Sequence, residues 1–373
     1  MYNGEEPFSS FLKKYFSANK KFGSKDRKAI SHSCYCYFRL GKAAKNLPIE
    51  ERILAGLFMC SKEANEMLAA IKPEWNEKVL LPVSEKCSMF NVQCSILNVF
   101  PWKDELSEGI DQEKLCESFF VQPDVFVRVR PGKREVILKK LQIADCRFEI
   151  LNENCISFAN AIKLEDILDI DEEAVIQDYN SQQTGHFFKS EISDLKSKIR
   201  VWDCCAGSGG KSIMAYDIDP TIELTVSDIR ESILANLKKR FQRAHITNYK
   251  SFVVDLTSNR SEIPNLKSEI TICDAPCTGS GTWSRTPEQL YFFDEKKIEE
   301  YSKLQKEIVS NAIPLLQPGG AFIYITCSVF KKENEEVVEF IKQKFQLQVK
   351  QMEVLKGYDK KADSMFVAVF EKL

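Results

Sequence analysis

Two cysteines in the second half of the chain stand where a thiol is free to react. Cys277 lies in DAPCTGSGTWSRTPE and Cys327 in YITCSVFKKENEE, each just after an apolar run of strand length. Packing is the ordinary role of a free cysteine, which is among the most buried residue types. Polar, glycine-rich turns offer a thiol little to pack against, and nucleophilic chemistry through the thiolate becomes the stronger reading. Upstream of both comes DCCAGSGGKS, residues 203–212, whose clustered glycines let backbone approach a ligand closely.

That loop admits two readings. A phosphate-gripping loop needs Gly, four residues, then Gly-Lys-Ser/Thr, and counting back from Gly210-Lys211-Ser212 puts Cys205 in the first glycine position. The later run ITICDAP would suit such a protein, with Asp274 as a magnesium ligand, so a nucleoside triphosphatase stays open as a minor alternative. The rival is a loop for S-adenosylmethionine, in which an acid ending the next strand takes the ribose hydroxyls, much as in dinucleotide folds. Asp228 falls 18 residues after Gly210, close to that distance. Asp255 would then meet the adenine amino group, and Asp274 would lie beside the transferring methyl. Each acid alone also reads as an ordinary helix N-cap.

A thiol beside a methyl donor suggests a particular reaction. Carbon 5 of a pyrimidine is a poor nucleophile, and thiolate addition at carbon 6 turns the ring into an enamine able to take the methyl. The route needs a depressed thiol pKa, a proton donor near ring nitrogen 3 and a base for the carbon 5 proton. Asp274 is placed to be the first of these partners.

The elements that must position these groups follow from the apolar rhythm. From Lys198 onward, IRVWDCC, IELTVSDI, KSFVVDL, EITICDAP and AFIYITCS are strand-length runs, separated by helical stripes such as Ile229, Ile233, Leu237 and Phe241. This predicts a doubly wound, mostly parallel sheet with ligands beyond the carboxyl ends of its strands, at Asp203, Asp228, Asp255, Asp274 and Cys327 or their near neighbours. Ahead of it, apolar residues at helical spacing through residue 80 predict a helical segment, and DVFVRVRPG followed by GKREVILKKLQ predicts a small α+β unit. The expected divisions are 1–85, 86–190 and 191–373. Residues 1–50 carry ten Lys or Arg against four acids, a candidate phosphate-facing patch in a chain of net charge −2. The 13 cysteines include no CxxC pair and there are three histidines, so neither a disulfide framework nor a metal site is expected. With no secretory leader and no apolar run of membrane-span length, a cytoplasmic location is expected.

Taken together, DCCAGSGGKS, DAPCTGSGTWSRTPE and QPGGAFIYITCSVFKKENEEVVEFI resemble the motifs of the RsmB/Sun/Nop RNA (cytosine-5) methyltransferases, closely over residues 175–373 and more loosely before. The resemblance implies a Rossmann-like S-adenosylmethionine-dependent methyltransferase domain with a seven-stranded sheet, preceded by a NusB-like helical extension and a small α+β RNA-binding unit. It makes Cys327 the nucleophile and Cys277 the residue that helps resolve the covalent adduct. The cofactor pocket it implies comprises Cys205, Ala206, Gly207, Ser208, Gly209, Gly210, Lys211, Asp228, Asp255 and Asp274. Attack from the Thr-Cys-Ser motif argues for RNA over DNA, and the helical extension for small-subunit ribosomal RNA. The family loop usually reads Cys-Ala-Ala-Pro-Gly-Gly-Lys, so Gly207 and Ser208 are departures, as is Ser284 where many members have arginine.

Reaching carbon 6 requires an unstacked base, hence a single-stranded or loop target bound by a monomer with no membrane partner. The basic helices with Arg128 and Arg130 would hold the flanking backbone, and Tyr291, Phe292 or Phe293 would either stack on a base or pack in a core. A non-catalytic RNA-binding or ribosome-assembly factor is the alternative of a different class, and it predicts eroded catalytic cysteines where both are present.

Overall fold

The first 60 residues form three helices, Phe8–Ala18, Ser24–Arg39 and Ile49–Cys60. In the first, Phe8, Leu12 and Phe16 fall four apart, which puts them on one face where they bury against Phe38. Asp26 closes the start of the second by accepting from the Gly23 N–H at 2.9 Å. Six lysines of the first two helices and the turn between them, Lys13, Lys14, Lys20, Lys21, Lys25 and Lys28, are exposed. The computed structural model describes residues 2–89, 95–160, 162–193, 198–258 and 266–373. Among them no helix is long and apolar enough to cross a membrane.

The described chain groups into two compact units. One is Met1–Pro123 with Thr282–Glu295, and the other is Asp124–Gly281 with Lys296–Leu373. In the helical unit, Tyr291 and Phe293 belong to the core. The Tyr291 hydroxyl lies 3.1 Å from that of Tyr37, and the Phe293 ring packs 4.6 Å from Trp283 and 4.9 Å from Trp102. Phe293 is buried and Tyr291 partly so, while Phe292, 36% exposed, is the most open of the three although it too packs against Tyr2, Phe38 and Tyr291.

The second unit contains both sheets. A four-stranded sheet is built from β1 (Val125–Val129), β2 (Glu149–Ile150), β3 (Cys155–Phe158) and β4 (Ala174–Ile176), all antiparallel in the order β2-β3-β1-β4. Alternation along β1 sends Val127 and Val129 into a cluster with Ile137 and Leu141 of the helix Arg134–Ile143, and Phe126 and Arg128 to the other face.

Strands β5 (Arg200–Asp203), β6 (Glu223–Asp228), β7 (Tyr249–Val253), β8 (Ser268–Asp274), β9 (Leu316–Thr326), β10 (Gln348–Leu355) and β11 (Met365–Glu371) form the seven-stranded sheet, in the order β10-β11-β9-β8-β5-β6-β7. The four pairings that join β7, β6, β5, β8 and β9 are all parallel, and β11 alone reverses direction, against β9 and β10. Both faces are covered, because successive residues alternate between two cores. Val201, Ile272 and Ile323 pack on the side of helices Gly210–Ile218 and Glu231–Arg243, and Trp202, Cys273 and Tyr324 on the side of Lys296–Ala312 and Glu335–Phe345. Strand order reverses between β5 and β8, and a crevice opens beyond their carboxyl ends, where doubly wound sheets bind ligands.

Candidate active site

The glycine loop is held from within. Asp203 ends β5 fully buried and accepts the Ser212 hydroxyl at 2.5 Å, and burial lifts its carboxyl to about 7. It is a support for the turn and does not line the crevice. The Ala206 N–H donates to the Ser227 carbonyl at 2.9 Å and the Gly207 N–H to Asp228 Oδ2 at 3.0 Å, which ties the loop to the end of β6. Gly207 has φ +51, the left-handed region that glycine adopts at least cost. Ser208 is gripped by Arg240, whose guanidinium donates to its carbonyl at 2.9 Å and its hydroxyl at 3.1 Å. The two departures in the loop thus have local roles, a left-handed turn and an anchor. Lys211 is 7% exposed and its ammonium donates to Asp274 Oδ2 at 3.0 Å and Ser181 Oγ at 2.8 Å.

Beyond the loop lies a cavity of about 460 Å³, within the range that holds a cofactor-sized ligand. Cys205, Asp228, Asp255, Asp274 and Cys277 line it together, although 72 residues separate the first from the last. Asp228 also accepts from the Arg230 backbone N–H at 2.9 Å and its guanidinium at 3.1 Å. Asp255 accepts from the Thr257 N–H at 2.8 Å and its hydroxyl at 2.7 Å through one oxygen. Ala206, Gly207, Ser208, Gly209, Gly210 and Lys211 shape the turn behind and are not part of the cavity lining. Apolar Ile229, Leu256 and Leu304 complete the walls, so the acids face a slot suited to a ligand with a flat ring and hydroxyls.

Cys277 and Cys327 meet at the edge of this cavity with their sulfur atoms 3.3 Å apart. The Cys327 sulfur first, and burial second, push the Cys277 thiol well above its ordinary range, so Cys277 keeps its proton. The two turns are clamped together by Glu333, which is fully buried. Its carboxylate accepts the Thr278 N–H at 2.8 Å, the Thr278 hydroxyl at 2.6 Å, the Ser328 hydroxyl at 2.6 Å and the Gln305 amide at 3.1 Å. Burial raises the Glu333 carboxyl, and these donors oppose the rise. Asn334 holds the same turn by accepting the Thr326 hydroxyl at 2.6 Å and donating to the Ser328 carbonyl at 2.9 Å. Gly281 closes the arrangement: its N–H donates to the Cys327 carbonyl at 2.9 Å, and a Cβ there would stand 2.0 Å from the Ser364 carbonyl oxygen.

Glu333, Thr278, Ser328 and Asn334 are the site residues that sequence reasoning missed. They sit inside the two cysteine motifs, but nothing in their spelling separates the buried Glu333 from its neighbours Glu335 and Glu336. Arg128 and Arg130 correct an expectation in the other direction. Arg128 donates to Asp217 at 2.6 Å, Arg130 to the same carboxylate at 2.7 Å, and Arg130 also to the carbonyls of Asp171 and Ala244 at 3.0 Å. Their side chains are 8% and 10% exposed, so they tie the four-stranded sheet to the helix Gly210–Ile218 and do not present a backbone-binding face.

Residues 192–369 match the family model described as 16S rRNA methyltransferase RsmB/F. Ribosomal RNA small subunit methyltransferase B of Shewanella oneidensis is 26% identical over 169 residues, 44% of this chain and 37% of that protein. Its counterpart from Yersinia pseudotuberculosis is 27% identical over 151 residues, 40% of this chain and 34% of that one. The match thus spans little more than a third of these relatives. The crystal structure of PH0851 superimposes with a TM-score of 0.70 over 96% of this chain and 93% of that one, at 18% identity. NSun6 from Pyrococcus horikoshii, solved with SFG, gives 0.61 over 74% of this chain and 96% of that one, at 14% identity. These two likenesses show the fold.

Proposed function

We propose that this chain, whose residues 192–369 match the RsmB/F methyltransferase family model, methylates carbon 5 of a cytosine in ribosomal RNA with S-adenosylmethionine as the donor. The observation that carries the reading is the pair of thiols 3.3 Å apart, one lining a cavity whose far wall holds Asp228 and Asp255. S-adenosylmethionine, when bound, supplies an electrophilic methyl on a sulfonium. The residues fit it: Asp228 and Asp255 each present a carboxylate to the slot, and Asp274 lies between them and the thiols.

Cys327 adds through sulfur to carbon 6 of the unstacked base, and Cys277 donates a hydrogen bond that stabilises the attacking thiolate. Asp274, kept in an ion pair by Lys211, faces ring nitrogen 3 and favours its protonated form. Once Cys327 is bound to carbon it no longer raises the Cys277 thiol. Cys277 then gives its proton to solvent and, as a thiolate, takes the carbon 5 proton, which re-forms the double bond as Cys327 leaves. The exposed lysines of the first two helices contribute backbone attraction. The enzyme acts as a cytoplasmic monomer. Bisulfite mapping of total RNA from cells with and without the gene tests this: a cytosine of small-subunit ribosomal RNA should lose its protection, and identical maps would refute the substrate.

A further inference from the structure

Three thiols that take no part in these steps converge beneath the same cavity. Cys204 and Cys205 follow β5 and Cys273 lies in β8, and their sulfur atoms are all within 4.8 Å of one another. The two strands run side by side, with Asp203 opposite Ile272 and the Cys204 N–H donating to the Ile272 carbonyl at 2.9 Å. This register brings together residues whose spacing in the chain suggests no site. Cys204 and Cys273 are buried in the apolar cluster that includes Trp202, Val254 and Ala275. Cys205 is only partly buried and opens on the cavity, which gives an ion a way in.

The chemistry of this donor set is narrow. Thiolates select soft ions. Structural zinc takes four ligands, and no histidine or carboxylate joins the three sulfurs among the described residues. A planar three-coordinate ion with metal–sulfur bonds of roughly 2.3 Å needs sulfurs roughly 4 Å apart, a spacing the cluster reaches with small side-chain rotations. We propose that Cys204, Cys205 and Cys273 form a three-coordinate thiolate site for Cu(I), and that its occupation competes with binding of the methyl donor. Each coordinating thiol loses its proton to solvent as its S–Cu bond forms, and the copper enters already reduced, so no electron is transferred. Competition follows because Cys204 and Cys205 share the cavity wall with Asp228, and coordination draws the Cys205 sulfur out of that wall toward the other two thiols. The competition rests on the cavity being the methyl-donor site, whereas the copper site itself does not.

Reduced full-length protein, titrated anaerobically with Cu(I) against a chromophoric Cu(I) chelator, tests the site, with X-ray absorption to count the sulfurs. Wild type should bind one tight equivalent with three sulfur ligands, and Cys273→Ala and Cys204→Ala should lose it. The Cys277→Ser/Cys327→Ser double variant, which removes the other nearby thiol pair, should keep it. If Cys273→Ala does not fold, Cys273→Val, which fills the buried volume, takes its place. Equal uptake by wild type and the Cys273 variant would overturn the site. Calorimetry with S-adenosylmethionine should show affinity falling about tenfold or more on copper loading of wild type, with no change in Cys273→Ala. An unchanged affinity in loaded wild type would overturn the competition. Absence of S-adenosylmethionine binding to the metal-free protein would instead refute the reading of the cavity and leave the copper result standing.

Discussion

The sulfur atoms of Cys277 and Cys327 lie 3.3 Å apart at the carboxyl ends of neighbouring strands, and the pair is unequal. Cys277 is held protonated by its partner and by burial, so it can donate to a thiolate at Cys327. A hydrogen bond that is present before the substrate arrives costs no reorganisation during attack. In the proposed mechanism Cys327 attacks while Cys277 donates to it.

Glu333 holds the two turns at this separation through four hydrogen bonds. Glu333→Gln presents an amide to donors that need acceptors, and a displacement on the scale of 1 Å should lower kcat roughly 100-fold, with KM for the methyl donor little changed. Steady-state kinetics with varied methyl donor checks this. Normal kcat in a protein of reduced melting temperature would confine Glu333 to a role in stability.

Asp203 gives stability a pH dependence. Its carboxyl, raised to about 7 by burial, binds a proton more tightly in the folded chain than in the unfolded one. Its contribution is complete below about pH 4 and is lost as pH rises to about 7, at up to about 1.4 kcal/mol per pH unit. Asp203→Asn has no proton to lose and should gain on wild type across that window, then hold a constant advantage. Urea unfolding of both proteins from about pH 5 to about pH 8 measures it, and a difference independent of pH would contradict the buried, protonated acid.

Arg128 and Arg130 share Asp217, so Asp217→Ala strands two buried cations and should cost about 3–5 kcal/mol in urea unfolding. Arg128→Met should leave the salt dependence of RNA binding unchanged. A slope reduced by about 0.7 would place Arg128 on a phosphate of single-stranded RNA after all.

The parallel sheet was legible because strands buried on both faces read as continuous apolar runs, and Asp228, Asp274 and Cys327 stand at or just past their ends. The units were less so. Ion pairs such as Arg128 with Asp217, 89 residues apart, join the small sheet to the helix Gly210–Ile218, and a surface arginine and a buried one are spelled alike. Glu333 was hidden for the same reason, since its partner Thr278 is 55 residues away. The three-thiol cluster depends on strand register, which no spacing of cysteines along the chain reveals.

The central claim is that Cys327 bonds covalently to the base and Cys277 releases it. Cys277→Ala and Cys327→Ala, each incubated with S-adenosylmethionine and small-subunit ribosomal RNA and run on a denaturing gel, test it most directly. Cys277→Ala should accumulate a protein–RNA adduct that survives denaturation, while Cys327→Ala should form none and transfer no methyl group. An adduct formed by Cys327→Ala, or full methylation by that variant, would contradict the account.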